Sequence, residues 1–306
     1  MLSIQGLHTR AAFFRCIRSF FHDQGFLEVD TPLRQPVYIP ESNIVPISSE
    51  GQYLQTSPEL CMKRLLAQGC KNIFQLSHCF RKDEIGRLHL QEFQLLEWYR
   101  TDCDYTQLMA DCQAFLLYLH AALKDYFAAC DVPTAAELFS GIDLSPDWQR
   151  LTVADAFAQY SPIPLEKALD FGSFDEILTE HIEPHLGRNA PVFLYAYPHQ
   201  LASLARKSPS NPNIAERFEL YIKGVELANG FSELTDEQEQ RNRFAKEIAT
   251  IHAGSGRNVV MPERFLQDLG KLEEAAGIAL GVDRLFMLAM NCESITSTVT
   301  FAPEDF

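Results

Sequence analysis

The sequence predicts an α+β protein, an antiparallel β-sheet flanked by helices. Strand-like segments come in runs, at residues 73–81 and 92–100 and again at 193–197 and 218–234, rather than in strict alternation with helices. Helical patterns lie on either side of these runs. The signatures of the doubly wound nucleotide folds are missing: there is no G-x-x-x-x-G-K-[ST], and no G-x-G-x-x-G after a strand.

Each element has its own signal. Residues 9–24 read as a helix stopped by Gly25, followed by the short strand FLEV and a stop at Thr31-Pro32. Residues 57–68, SPELCMKRLLAQ, read as a helix with Ser57 at the N-cap, Pro58 at the first helical position and Glu59 in the first turn. Two strand arms follow in FRKDEIGRLHLQEFQLLEWYR, joined by a polar loop. Residues 105–129 form a long helical pattern with Leu108, Cys112, Phe115, Leu116 and Leu119 on one side. Pro133, Pro146, Pro162, Pro164 and Pro184 break residues 131–190 into short helices and loops, expected to be an insertion on the main scaffold. Then come FLYAY, the run FELYIKGVELANGFSEL, a charged helix over 236–252 and a Gly/Asn-rich loop. AGIALGVDRLFMLAM, a small-residue strand leading into a helix, closes the chain.

Composition bounds the function. With 306 residues, 46% hydrophobic and 22% charged, the chain can bury a large core and reads as one domain over 1–306. No apolar run approaches the roughly 18 residues of a membrane span. The N-terminal segment interleaves charges with apolar residues, which is an amphipathic helix and not a signal peptide, so a cytoplasmic protein is expected. The eight cysteines are scattered without C-x-x-C spacing and read as buried structural thiols. Neither H-E-x-x-H nor a Cys/His cluster argues for zinc. The 26 basic against 41 acidic residues give a formal charge of −15. That field repels a nucleic-acid backbone at long range, although a local basic patch is compatible with it, as is a simple solubilising role.

Strand parity picks out candidate site residues. Alternate side chains share a face, so Phe93, Leu95, Glu97 and Tyr99 lie on one side and Gln94, Leu96, Trp98 and Arg100 on the other. In the later strand Asn229, Phe231 and Glu233 make a second polar–aromatic–acid stripe. Two such stripes on one sheet present acids and aromatic walls to a cationic ligand; a solvated face of an antiparallel sheet carries the same pattern. Arg81 ends the first arm and reads as a phosphate ligand or a solvated charge, and His89 lies in the loop between the arms. Glu219 and Glu226 are candidate magnesium ligands. Their spacing of seven gives opposite parity, so they meet only if the strand bulges, with Gly224 as the expected place. Arg284 follows G-V-D at a helix start, where anions bind.

In order, these pieces resemble a class II aminoacyl-tRNA synthetase catalytic core. FLEVDTP resembles motif 1, FRKDE…RLHLQEF motif 2 and GIALGVDRL motif 3. TSPELCMKRLL, LLEWYR and ELANGFSELTD are similar to the lysyl-tRNA synthetase branch, over nearly the whole chain. The resemblance implies that Arg81 contacts the α-phosphate of ATP and the substrate carboxylate, that Phe93 stacks on adenine and that Arg284 holds the γ-phosphate. It implies nucleotide contacts for Glu84 and His89, Mg²⁺ on Glu219 and Glu226, and an amino-acid pocket of Glu59, Glu97, Tyr99, Asn229, Phe231 and Glu233. Glu97 and Glu233 would select a substrate with an additional amine. A homodimer through the motif 1 region is implied as well.

Two departures narrow the family. The motif 1-like segment begins within about ten residues of Met1, which leads us to expect no anticodon-reading β-barrel. Ser57 stands in TSPE where the tRNA enzymes usually have alanine, a change that suits a repositioned amine or simply supplies an N-cap. Both features resemble the elongation factor P–(R)-β-lysine ligases, truncated paralogues that adenylate (R)-β-lysine and attach it to a lysine of elongation factor P. The expected acceptor is therefore that protein, with tRNA disfavoured. A synthetase core acting on tRNA or another carrier, and a silent amino-acid-binding paralogue, are the alternatives. Retention of both arginines and both candidate magnesium glutamates argues against the silent one. One local deviation stands out: the family loop H-N-P-E-F is here His89-Leu90-Gln91-Glu92-Phe93, which is expected to loosen the turn and to remove a polar group near the nucleotide.

Overall fold

The computed structural model describes residues 1–130, 138–145 and 147–306. Pro133 and Pro146, two of the expected helix breakers, lie outside the described residues. Helix α1 (Ile4–Asp23) begins earlier than its periodicity suggested, because the Ser3 hydroxyl accepts the Gly6 N–H at 3.1 Å. It stops before Gly25, whose φ of +75° suits glycine. The chain then forms β1 (Leu27–Glu28) and a small antiparallel sheet of β2 (Arg34–Gln35), β3 (Ser48–Ser49) and β4 (Gln52–Leu54). Helix α2 (Glu59–Ala67), β5 (Asn72–Phe80), β6 (Glu92–Thr101) and α3 (Tyr105–Ala129) follow. Next come β7 (Gln149–Thr152), α4 (Val153–Tyr160), α5 (Leu165–Asp170), α6 (Phe174–Ile177) and β8 (Val192–Pro198). The chain ends with β9 (Ile214–Ile222), β10 (Val225–Ser232), α7 (Glu237–Ser255), α8 (Glu263–Leu269), β11 (Ala275–Gly281) and α9 (Val282–Ala289).

Eight strands form one sheet in the order β1-β5-β6-β11-β10-β9-β8-β7. The six inner strands are antiparallel, as expected, but β1 on β5 and β7 on β8 pair in parallel, so the sheet is mixed at its edges. On one face α1, α3 and α9 bury an aromatic core that includes Phe13, Phe21, Phe74, Trp98, Phe115 and Phe286. Phe21 stacks on Phe74 with centroids 4.9 Å apart, the kind of contact that adds specificity to area burial. The opposite face is left for the site.

Residues 138–190 are not only short helices. They contribute β7 to the main sheet and build a second core of Val153, Phe157, Phe174 and Ile182 against β8. This segment is fastened to the β9–β10 hairpin: the Lys223 N–H bonds Gly187 O at 2.7 Å and the Gly224 N–H bonds Leu186 O at 2.8 Å. A Cβ on Gly187 would lie 2.4 Å from Tyr221 O, and its φ is +65°, so the contact needs glycine.

That hairpin corrects the expectation for residues 218–234. They do not form one strand bulged at Gly224. Lys223 and Gly224, with φ of +52° and +72°, make a two-residue turn, and Ile222 pairs with Val225 across it. The bulge comes later, where the register shifts between Glu226 and Ala228. The extra residue, Leu227, moves Glu226 onto the face of Asn229 and Phe231. Helix α2 is also offset from its reading. It starts at Glu59 with Pro58 before it, and the Ser57 hydroxyl accepts the Glu59 N–H at 3.0 Å.

All eight cysteines are free thiols. Among the described residues, no helix is long and apolar enough to cross a membrane.

Candidate active site

A cleft of about 1060 Å³ lies on the open face of the sheet. Its floor follows from register: Tyr99 faces Gly277 and Glu97 faces Ala279 across β6–β11. Phe231 faces Gly277 and Asn229 faces Ala279 across β10–β11, and Glu219 faces Asn229 on β9. The two stripes read from parity therefore share one surface, separated by the small residues of β11. Those residues are small for a reason. A Cβ on Gly277 would lie 2.2 Å from Tyr99 Cε1 and 2.5 Å from Glu233 Oε1. Gly277→Ala is expected to cost about 1–3 kcal/mol through overpacking and to displace Tyr99. Wild-type melting behaviour in that variant would contradict the packing.

At one end the cleft is acidic. Glu97 is 0% exposed, accepts from Ser57 Oγ at 2.6 Å and from Tyr99 Oη at 2.8 Å, and is pushed up to about 8 by burial and then by the Glu59 charge. Lys63 is buried between Glu59 and Glu233 and pairs with both. Burial alone would lower it, but Glu233 and Glu59 hold it above its ordinary value. Glu233, 1% exposed, is also pushed up to about 8, mainly by burial. Glu97 and Glu233 thus lie beneath the floor, while Ser57, Glu59, Tyr99 and Phe231 line it. With one base among three acids, an arriving cation would let the raised Glu97 and Glu233 carboxyls ionise, so the pocket favours a cationic occupant.

These shifts set a pH dependence. A carboxyl raised from 4.5 to about 8 means that the folded state binds more protons than the unfolded state. Its stabilising contribution is complete below pH 4.5 and is lost as pH rises towards 8. The ligand-free protein is therefore expected to be less stable to urea at pH 8.5 than at pH 5.5, with a saturating diamino acid narrowing the difference. Stability rising over that window would overturn the assignment.

At the other end two arginines, Arg81 and Arg284, line the cleft, and both charges bear on His89. Arg81 Nη1 donates to Glu84 Oε1 at 3.0 Å, its Nε reaches Thr56 O at 3.4 Å, and its guanidinium lies 5.2 Å from the Phe93 ring centroid. Arg284 bonds Glu226 O at 2.8 Å and Leu88 O at 3.2 Å, and donates to His89 Nε2. A guanidinium only donates, so Nε2 is the acceptor and His89 is neutral; burial and then Arg284 lower its pKa. Asp283, next to Arg284, accepts from Arg10 Nη2 at 2.7 Å and from the Gln94 N–H at 2.7 Å, which ties α1 and β6 to the start of α9.

Glu219 and Glu226 do converge, brought together by the hairpin. Glu219 accepts from Arg217 Nη2 at 2.6 Å, Tyr197 Oη at 2.5 Å and Tyr221 Oη at 2.7 Å. Glu226 is pushed up to about 7 by burial and then by the Glu219 charge. Two repelling carboxylates, one buried and one half-buried at the cleft wall, suit a hard divalent cation that completes its shell with phosphate oxygens.

The sequence reading passed over Lys63, Arg217, Tyr197, Tyr221 and Glu41. Lys63 had a signal: it is three residues from both Leu60 and Leu66, on the inward face of α2. Arg217 and Tyr221 have the strand parity of Glu219. Glu41, in the loop over the cleft, had none; burial and then Glu59 push it up to about 7.

Residues 3–305 match the class II tRNA synthetases (D, K and N). An elongation factor P–(R)-β-lysine ligase of Salmonella gallinarum is 39% identical over 314 residues, covering 98% of this chain and 95% of that protein. Ligases of the same name from Salmonella paratyphi B and Salmonella schwarzengrund are 38% identical over 311 residues, with the same coverage. The chain belongs to this class II ligase family. Within the family framework, the Leu90-Gln91 deviation has a structural account. Leu90 turns into the core beneath the loop. Gln91 closes the loop instead of loosening it, because its side-chain amide donates to Lys82 O while its backbone carbonyl accepts the Arg81 N–H at 2.9 Å. The Arg81 N–H thus has a backbone partner in the loop without a proline there.

Proposed function

We propose that this protein is an ATP-dependent ligase that adenylates (R)-β-lysine and transfers it to a lysine side chain of elongation factor P. The observation that carries the reading is the end-to-end similarity to proteins named for that activity. The site chemistry supports it, since a buried acidic pocket for an amine adjoins a pair of arginines suited to phosphates.

The chemistry needs no protein nucleophile. A substrate carboxylate oxygen attacks the α-phosphorus of ATP and pyrophosphate leaves. The acceptor amine then attacks the acyl carbon, the bond to AMP breaks and an amide forms. The protein's task is placement and charge neutralisation. In this reading Arg81 meets the α-phosphate and carboxylate, Phe93 the adenine, Arg284 the γ-phosphate, and Glu84 and His89 the rest of the nucleotide. Ser57, Glu59, Tyr99, Asn229 and Phe231 line the amino-acid pocket, and Glu97 and Glu233 supply its field from below. Glu219 and Glu226 would hold Mg²⁺, which neutralises phosphate charge when bound.

A homodimer through the α1–β1 region is part of the proposal. Strand β1 is at the sheet edge, and Ile4, Leu7, Leu27 and Leu33 are exposed. The deciding experiment is mass spectrometry of elongation factor P after incubation with this protein, ATP and (R)-β-lysine, which should gain one β-lysyl group. Preference for α-lysine with transfer to tRNA would replace this reading with that of a synthetase. Absence of ATP–pyrophosphate exchange with any lysine isomer would remove the enzyme.

A further inference from the structure

We infer that Gln240 is a specificity-determining residue whose side-chain amide accepts a hydrogen bond from an ammonium group of the bound amino acid. The inference rests on the ligase reading for the identity of that substrate. Gln240 lines the cleft from α7 and is 1% exposed. Its Oε1 and Nε2 are both buried, and neither has a hydrogen-bond partner among the described residues. Leaving such a group unmade costs about 1–3 kcal/mol, and native proteins rarely tolerate it without cause.

Among the described residues of α7, Gln240 alone carries buried side-chain atoms without a partner. The charged residues on either side of it are engaged: Arg243 with Glu239 at 2.6 Å, and Arg241 with Glu237 at 3.1 Å and Glu263 at 2.8 Å. Helix packing alone therefore does not require a polar residue here.

Position identifies the ligand group. Gln240 lies one turn before Phe244 on the same helix face, and Phe244 packs in a cluster with Leu60, next to Glu59, and with Phe231. That is the acidic end of the cleft. An ammonium there meets Glu59 and lets the raised Glu97 and Glu233 carboxyls ionise, whereas a carboxylate would gain no counter-charge; an ammonium brings donors and no acceptor. The Oε1 lone pairs are the complementary half of that bond. The acids supply attraction without direction, and the amide supplies the direction that distinguishes where the amine sits on the chain.

The test uses the full chain and (R)-β-lysine, with Gln240→Met and Gln240→Glu as variants. Methionine keeps the volume and removes the orphan. Gln240→Met is expected to melt at or above the wild-type temperature, to bind (R)-β-lysine about 10- to 100-fold more weakly by calorimetry and to keep the wild-type KM for ATP in pyrophosphate exchange. Gln240→Glu keeps an acceptor oxygen and is expected to retain binding at pH 8, which also covers the case in which the methionine variant does not fold. Unchanged affinity in Gln240→Met, or equal loss in both variants, would overturn the inference while leaving the ligase reading in place. A wild-type protein that neither binds nor exchanges any lysine isomer would overturn both.

Discussion

Replacing Lys63 by methionine is expected to lower the unfolding free energy by about 3–5 kcal/mol at pH 8.5, because breaking a buried ion pair leaves its partners uncompensated. Lys63 is 2% exposed and is the shared counter-charge of Glu59 and Glu233. The loss has a defined pH course. Lys63 lowers the Glu233 carboxyl, so without it the folded-state value rises beyond about 8. The variant's folded state then holds its proton to higher pH, and stability declines more steeply through the alkaline range. At pH 6 Glu233 is already protonated and only the pairing with Glu59 is lost, so the deficit shrinks. Urea denaturation at pH 6 and pH 8.5 reads both values. A deficit below about 1 kcal/mol at the higher pH would mean that the pair is not the anchor of the pocket.

Arg81→Ala is expected to reduce lysine-dependent ATP–pyrophosphate exchange on the order of 10²–10³-fold or more, the loss found when one preorganised charge-stabilising donor is removed. Arg81 is held by Glu84, by Thr56 O and over Phe93, so its guanidinium is fixed before any substrate arrives. The melting temperature should change little by comparison, since the group sits in an open cleft. Arg81→Lys should recover only part of the rate, because a point charge cannot make the planar two-point contact. Near-normal exchange in Arg81→Ala would show that the phosphate is held elsewhere.

Much of the site was legible because strand side chains alternate. Phe93, Glu97 and Tyr99 came out on one face, and Asn229 and Phe231 on another stripe, before any pairing was known. The register of β6, β11 and β10 then made one floor of them. Parity failed where the chain departs from regular pairing. The Lys223-Gly224 turn and the bulge at Leu227 are local backbone choices that bring Glu226 towards Glu219. A residue count of seven says nothing about either. The Leu90-Gln91 pair looked like a weakness for a related reason, since the loop is closed by a side-chain bond from Gln91 to Lys82 that no spacing rule foresees.

The sequence by itself determined the main inner strand segments, the long helices that flank them, and which residue types share a surface, but not β7, the β2–β4 sheet or the turn within residues 218–234. The former follow from short-range physics, namely periodicity, capping and the conformational limits of glycine and proline. Only the tertiary structure decided what each charge meets. Lys63 is a core residue because two acids from distant segments converge on it, and Glu97 and Glu233 act from beneath the floor because Ser57, Tyr99 and Lys63 cover them. The Gln240 amide is left without a partner among the described residues by packing that no local pattern specifies. Ionisation and hydrogen-bond satisfaction depend on burial and on neighbours far apart in the chain, and these come into being only when the sheet closes.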